Sequence, residues 1–209
     1  MLGQINNFII LWVIIDPIAA LSIFVSLTAE YDRRSRRRIA TAAVLAAFLV
    51  LCFFIGLGQI IIEAMGVSLS EFQIAGGLIL FLFAVTMVIG GVPQALQLRA
   101  DPQTGSEIAI YPLAIPTLAG PGAMLTVMLL TDRSRFSTTD QLTTAATVAV
   151  VLAITLAMLF LADPILRLIG LHGANVLKRI MGMVLAAVAV KIILGGIADW
   201  LHLPASRIG

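Results

Sequence analysis

The chain has 209 residues, of which 60% are hydrophobic and 11% charged, and its mean hydropathy is +1.08. Soluble domains carry roughly a quarter charged residues, so this composition excludes a soluble globular protein and leaves an integral membrane protein. The net charge of +2 comes with no basic, aromatic-interleaved patch, so no nucleic-acid partner is expected. The lone Cys52 has no disulfide or metal companion.

The start, Met1-Leu-Gly-Gln-Ile-Asn-Asn7, lacks a cationic n-region and is expected to open the first span. Span 1 covers about 5–28 and is interrupted at Asp16-Pro17. The run Glu30 to Arg38 places five arginines in six residues, and span 2 follows over about 39–64. A turn near Gly66 leads to Ser68-Leu-Ser-Glu71, whose capping-box spacing starts span 3. Span 3 ends near Gly90-Gly91, and the polar stretch to Glu107 is expected to be a loop.

Span 4, about 108–131, carries Pro112, Pro116 and Pro121. A connector from Asp132 to Asp140 ends in residues suited to N-capping. Span 5, about 142–161, is expected to close at Asp163-Pro164, with a further connector from Arg167 to Gly173. Span 6 runs about 175–200, and Pro204 to Gly209 form a polar tail. Continuous apolar runs of this length are helices, because lipid cannot satisfy an open strand's backbone. The expected fold is therefore an all-α membrane protein with six transmembrane helices.

The connectors 1–2, 3–4 and 5–6 hold Arg33, Arg34, Arg36, Arg37, Arg38, Arg99, Arg167, Lys178 and Arg179, against Arg133, Arg135 and Arg207 on the other side. The positive-inside rule puts the first group in the cytoplasm and both termini outside. The arginine run is first of all a topology determinant at the lipid surface.

The segment Asp16-Pro17-Ile-Ala19-Ala-Leu21-Ser22 is echoed by Gly120-Pro121-Gly122-Ala123-Met-Leu125-Thr126 at a constant offset of 104. Gly66 and Gly170 keep that offset; Gly77 with Gly182, and Gly90-Gly91 with Gly195-Gly196, follow at 105. Residues 1–92 are thus expected to form one three-helix repeat, 93–108 a connecting loop, and 109–209 a second repeat with the tail. Three spans per unit invert the second copy, a transporter signature.

Proline removes a helix donor and clashes one turn back, while Asp and Gly before Pro suit the restart of a helix. Helices 1 and 4 are expected to break at Pro17 and Pro121, directing two half-helix N-termini to the bilayer centre, where they favour an anion. Packing kinks are the plainer alternative. The candidate substrate-binding residues are Asp16, Pro17, Ala19, Ser22, Ala119, Gly120, Pro121, Gly122, Ala123 and Thr126. Asp16 is the sharpest, since an acid inside the membrane is expensive; it can cap a helix, hold an ammonium or carry a coupling proton. Lys191, deep in span 6, is a second candidate for coupling, or it snorkels to an interface. His172 and His202 have no metal-ligand spacing, and no hydrolase or Walker motif is present. Neither an enzyme, nor a metal, nor a cofactor is expected.

The segments Asp16 to Thr28, Phe72 to Gly77, Tyr111 to Ala123 and Lys178 to Gly182 resemble the MarC family of bacterial inner-membrane proteins, also called the neutral amino acid transporter or SnatA-like family. The resemblance runs along essentially the whole chain. It implies six spans and the export or exchange of small neutral amino acids such as glycine, alanine and threonine. Lys191 departs from the uncharged polar residue of that pattern, which bears on coupling or substrate choice. A passive channel for a small solute and a non-transporting scaffold are the competing readings.

Overall fold

A computed structural model describes residues 2–89, 105–132 and 137–202. The expected Gly90-Gly91 end of span 3, the connector residues Arg99, Asp101-Pro102, Arg133 and Arg135, and the tail with Arg207 lie outside the described residues. The described residues form helices joined by turns, without strands. The helices are α1 (Leu2–Ile15), α2 (Pro17–Leu27), α3 (Arg33–Phe53), α4 (Gln59–Ala64), α5 (Leu69–Ile89), α6 (Gly105–Ile108), α7 (Pro121–Leu129), α8 (Thr138–Phe160) and α9 (Ala162–Trp200). Wide, π-type turns over Phe54–Gly58 join α3 to α4, and a second such stretch, Ala109–Leu118, follows α6.

Five segments are long and apolar enough to cross a membrane: Gln4–Leu27, Arg33–Ala64, Leu69–Ile89, Thr139–Phe160 and Arg179–Trp200. The pair Gly105–Leu118 and Pro121–Leu129, bent by 54°, passes the same test only when taken together, which makes five or six candidate spans among the described residues. Leu49, Leu82 and Ile89 stand 68%, 64% and 74% exposed. Such outward-facing aliphatics fit lipid, where no hydrophobic penalty attaches to them.

Local chemistry fixes the ends. Ser68 donates its N–H to Glu71 Oε2 at 2.8 Å while Glu71 N–H returns to Ser68 Oγ at 3.2 Å. Ser137 N–H and O–H both reach Asp140 Oδ2 at 2.9 Å. Gly66, at φ +72°, ends α4 in a Schellman turn: Gly66 N–H bonds Glu63 O and Val67 N–H bonds Ile62 O.

Hydrogen bonds from the Ser35 side chain and the Arg34 N–H hold the Asp32 carboxyl below its ordinary range. The folded state therefore prefers the ionised acid. The contribution of this cap is complete above the unfolded value, about 3.9 for Asp, and is lost as pH falls through the lower folded value. Hydrogen exchange at the start of α3, corrected for intrinsic rates, should rise on acidification through that window. Asp32→Asn should abolish the dependence.

Three boundaries differ from the hydropathy reading. α3 begins at Arg33, not near Ile39, because Asp32 caps it through Arg34 N–H at 3.1 Å; the arginines are helical. α6 lies inside the expected connecting loop. Asp163-Pro164 does not close span 5: α8 ends at Phe160, and both residues sit in the first turn of α9, where proline is tolerated. The break in that region is Gly170, at φ +70° and ψ 163°.

Packing is organised around the antiparallel pair α5 and α9. A Cβ on Gly77 would lie 3.4 Å from Ala189 O, and one on Gly182 would lie 3.1 Å from Ala84 O. α7 packs on α5 and α2 on α9; α3 packs on the Ala109–Leu118 segment and α8 on α1; α3 and α8 meet each other.

Candidate functional site

Asp16 is the single residue between α1 and α2. Its backbone is left-handed, φ +48° and ψ 72°, and its Oδ1 accepts the Ala19 N–H at 3.1 Å. The helical ladder still passes through it, since Asp16 N–H reaches Trp12 O and Ala20 N–H reaches Asp16 O, both at 3.1 Å. The side chain is buried at 3% exposure, with Pro17 and Ala19 buried beside it. Ser22 Oγ donates back to Ile18 O at 3.2 Å, a local bond within its own helix.

The segment before Pro121 is built differently. Tyr111 and Ile115, each before a proline, leave helical geometry, as the proline ring's clash with the preceding residue dictates. Thr117 Oγ1 donates to Pro112 O at 2.8 Å, taking the carbonyl that Pro116, lacking an N–H, cannot reach. Ala119 N–H closes the stretch on Ala114 O at 2.8 Å. Gly120, extended at φ −76° and ψ 168°, precedes α7 and gives it no side-chain cap.

A cavity of about 170 Å³ opens here, lined by Ile14, Ile79, Leu80, Phe83 and the segments Pro116-Thr117 and Gly120–Ala123. At ~30 Å³ per water it has room for about five waters, or a small solute. The Gly122 and Ala123 N–H groups are among the first-turn donors that a helix cannot satisfy internally. One turn on, Thr126 is 3% exposed, and its Oγ1 has no hydrogen-bond partner among the described residues.

Of the sequence candidates, Gly120, Pro121, Gly122 and Ala123 line the cavity. Ala119 and Thr126 are buried in its supporting elements. Asp16, Pro17, Ala19 and Ser22 do not line it; Ile14, two residues before Asp16, does. Lys191 lies on the exposed face of α9 and not at the cavity. The α5 side chains Ile79, Leu80 and Phe83 were not signalled by the sequence, because a uniformly apolar helix gives no contrast between its faces.

Near one end of the bundle, Arg36 Nη1 bonds both Asp163 oxygens, at 2.8 and 3.0 Å, and its Nε donates to Thr28 Oγ1 at 3.1 Å. Its guanidinium also lies 5.4 Å from the Phe24 ring centroid. This cluster ties the start of α3 to α2 and to the start of α9.

The described helices, with five or six candidate membrane spans among them, define a polytopic α-helical membrane protein. The description "MarC family integral membrane protein" matches residues 3–201, and the chain belongs to that family. It is 34% identical over 195 residues to a UPF0056 membrane protein of Archaeoglobus fulgidus, covering 92% of this chain and 91% of that one. It is likewise 34% identical over 199 residues to the UPF0056 inner membrane protein YhgN of Escherichia coli K12, covering 94% and 97%. No solved structure matches the chain.

Proposed function

We propose that the protein is a secondary transporter of the inner membrane that exports or exchanges small neutral amino acids, such as glycine, alanine and threonine, by alternating access. The observation that carries this reading is the cavity of about 170 Å³ at the uncapped start of α7. A carboxylate there would receive the Gly122 and Ala123 N–H groups and the positive end of the helix dipole. The Thr117 carbonyl, whose helical donor is missing because residue 121 is proline, can accept from the ammonium. The remaining lining admits only a small, uncharged side chain.

The two halves then divide the work. Asp16 and Gly120 stand at equivalent positions, 104 apart. In the first half the Asp16 carboxylate already occupies the start of α2. In the second, glycine leaves that place open for an external carboxylate. Inverted symmetry is supported by reciprocal packing: exchanging residues at an offset of 105 turns the Gly77–Ala189 contact into the Gly182–Ala84 contact. Both termini on the periplasmic side and a proton as coupling ion belong to the same reading.

The test is flux from proteoliposomes loaded with labelled glycine, alanine or threonine, with and without unlabelled amino acid outside. Saturable efflux stimulated by counter-substrate is expected, and Ile79→Trp, which fills the cavity from its partly exposed wall, should abolish it. Unsaturable flux without counter-exchange would replace the carrier with a channel. No flux of any small neutral amino acid would remove this substrate class and favour the scaffold.

A further inference from the structure

The first two turns of α3 carry a groove that the transport cavity does not use. Arg33, Arg34, Arg37 and Arg38 line it with Thr41, Ala42 and Leu45, around an open space of about 740 Å³. The spacing i, i+1, i+4, i+5 gathers the four guanidinium groups on one face of the helix. All four arginines are exposed. The fifth, Arg36, points elsewhere, into Asp163 and Thr28. No acid lines the groove. Two acids of neighbouring elements are engaged: Asp32 accepts the Arg34 N–H, and Asp163 is bonded to Arg36.

The same face turns apolar within two helical turns. Ala42 is exposed, and Leu45 and Leu49 stand 56% and 68% exposed further along. At 1.5 Å per residue, Leu45 lies about 10 Å beyond Arg38 along the axis. The whole span Arg33–Ala64 has 32 residues, about 48 Å of helix against a hydrocarbon core of ~30 Å, so its first turns stand at headgroup level. Small residues Thr41 and Ala42 leave the floor low between the arginine collar and the leucines.

We infer that this groove binds one anionic phospholipid, its phosphodiester held by Arg34 and Arg38 and their neighbours and an acyl chain laid along Leu45 and Leu49. Guanidinium forks match phosphate oxygens bidentately. Positive charges alone would attract any anionic surface; the low floor and the apolar continuation make this a seat for a single lipid. The site is independent of what the protein transports.

The purified protein in a neutral detergent should be titrated with phosphatidylglycerol, phosphatidylcholine or inorganic phosphate, following its melting temperature and the lipid retained in native mass spectra. Saturable stabilisation by phosphatidylglycerol, with one lipid retained, is expected; phosphatidylcholine and phosphate should do neither. Arg34→Gln with Arg38→Gln should weaken apparent affinity roughly thirtyfold, taking ~1 kcal/mol per basic residue at a lipid surface. Ala42→Glu keeps every arginine for membrane insertion and should weaken it comparably by placing a carboxylate on the floor. Equal stabilisation by phosphatidylcholine, or unchanged affinity in both variants, would overturn the inference. Reproduction of the shift by inorganic phosphate would replace the lipid with a soluble anion.

Discussion

Asp16→Ala lowers the stability of the folded protein by about 2 kcal/mol, and Asp16→Asn leaves it nearly unchanged. Alanine loses the Oδ1 acceptor that takes the Ala19 N–H; loss of an N-terminal cap of this type costs about 1 kcal/mol. Alanine must also hold φ +48°, which costs a Cβ-bearing residue roughly 1–2 kcal/mol, and Asp and Asn less. Asparagine keeps both the acceptor and the tolerance for left-handed geometry. Asp16→Gly separates the two contributions, since it relieves the backbone and removes the cap; it should fall between the others. Thermal unfolding in detergent measures the order Asn, Gly, Ala.

The same series distinguishes a structural acid from a transporting one. If Asp16 only caps α2, counter-exchange flux follows stability and Asp16→Asn transports normally. If it carries a coupling proton, Asp16→Asn loses gradient-driven flux while keeping its melting temperature. The proposed carboxylate seat at α7 survives either result, because the cavity is lined by Gly120–Ala123 and not by Asp16.

Much of this was legible in the sequence because proline, glycine and buried acids have strong local rules. Asp16 was legible as a cap, which the Ala19 N–H on its Oδ1 shows, and Ser68 to Glu71 announced the start of α5. Helix ends outside the hydrocarbon were not legible from hydropathy. The arginine turn of α3 and the first turn of α9 are polar yet helical, since hydropathy measures immersion in lipid and not backbone geometry. The Arg36–Asp163 bond joins residues 127 apart, which no local pattern encodes. The cavity wall on α5 stayed hidden for a related reason: Ile79, Leu80 and Phe83 differ from their lipid-facing neighbours only in what packs against them.

Gly120→Ala should be the more damaging of two similar changes in the α7 start, and Gly122→Ala the milder. A Cβ on Gly120 would stand 2.5 Å from the Pro116 carbonyl oxygen. That oxygen belongs to a backbone fixed on both sides, by Thr117 on Pro112 and by Ala119 on Ala114. Relief requires moving the whole proline-broken segment, and overpacking of this kind costs about 1–3 kcal/mol. A Cβ on Gly122 would come closer still, but to Leu80 Cδ1, the end of a side chain that can change rotamer. The longer distance therefore marks the harder site, because what matters is whether the neighbour can yield. Leu80→Ala should rescue Gly122→Ala and leave Gly120→Ala unrescued, as read by melting temperature. Flux adds a second readout: Gly120→Ala shifts the donors of α7 away from the Pro116-Thr117 carbonyls and should abolish exchange even in the fraction that remains folded. Wild-type flux in a stably folded Gly120→Ala protein would sink the placement of the substrate carboxylate at this helix start.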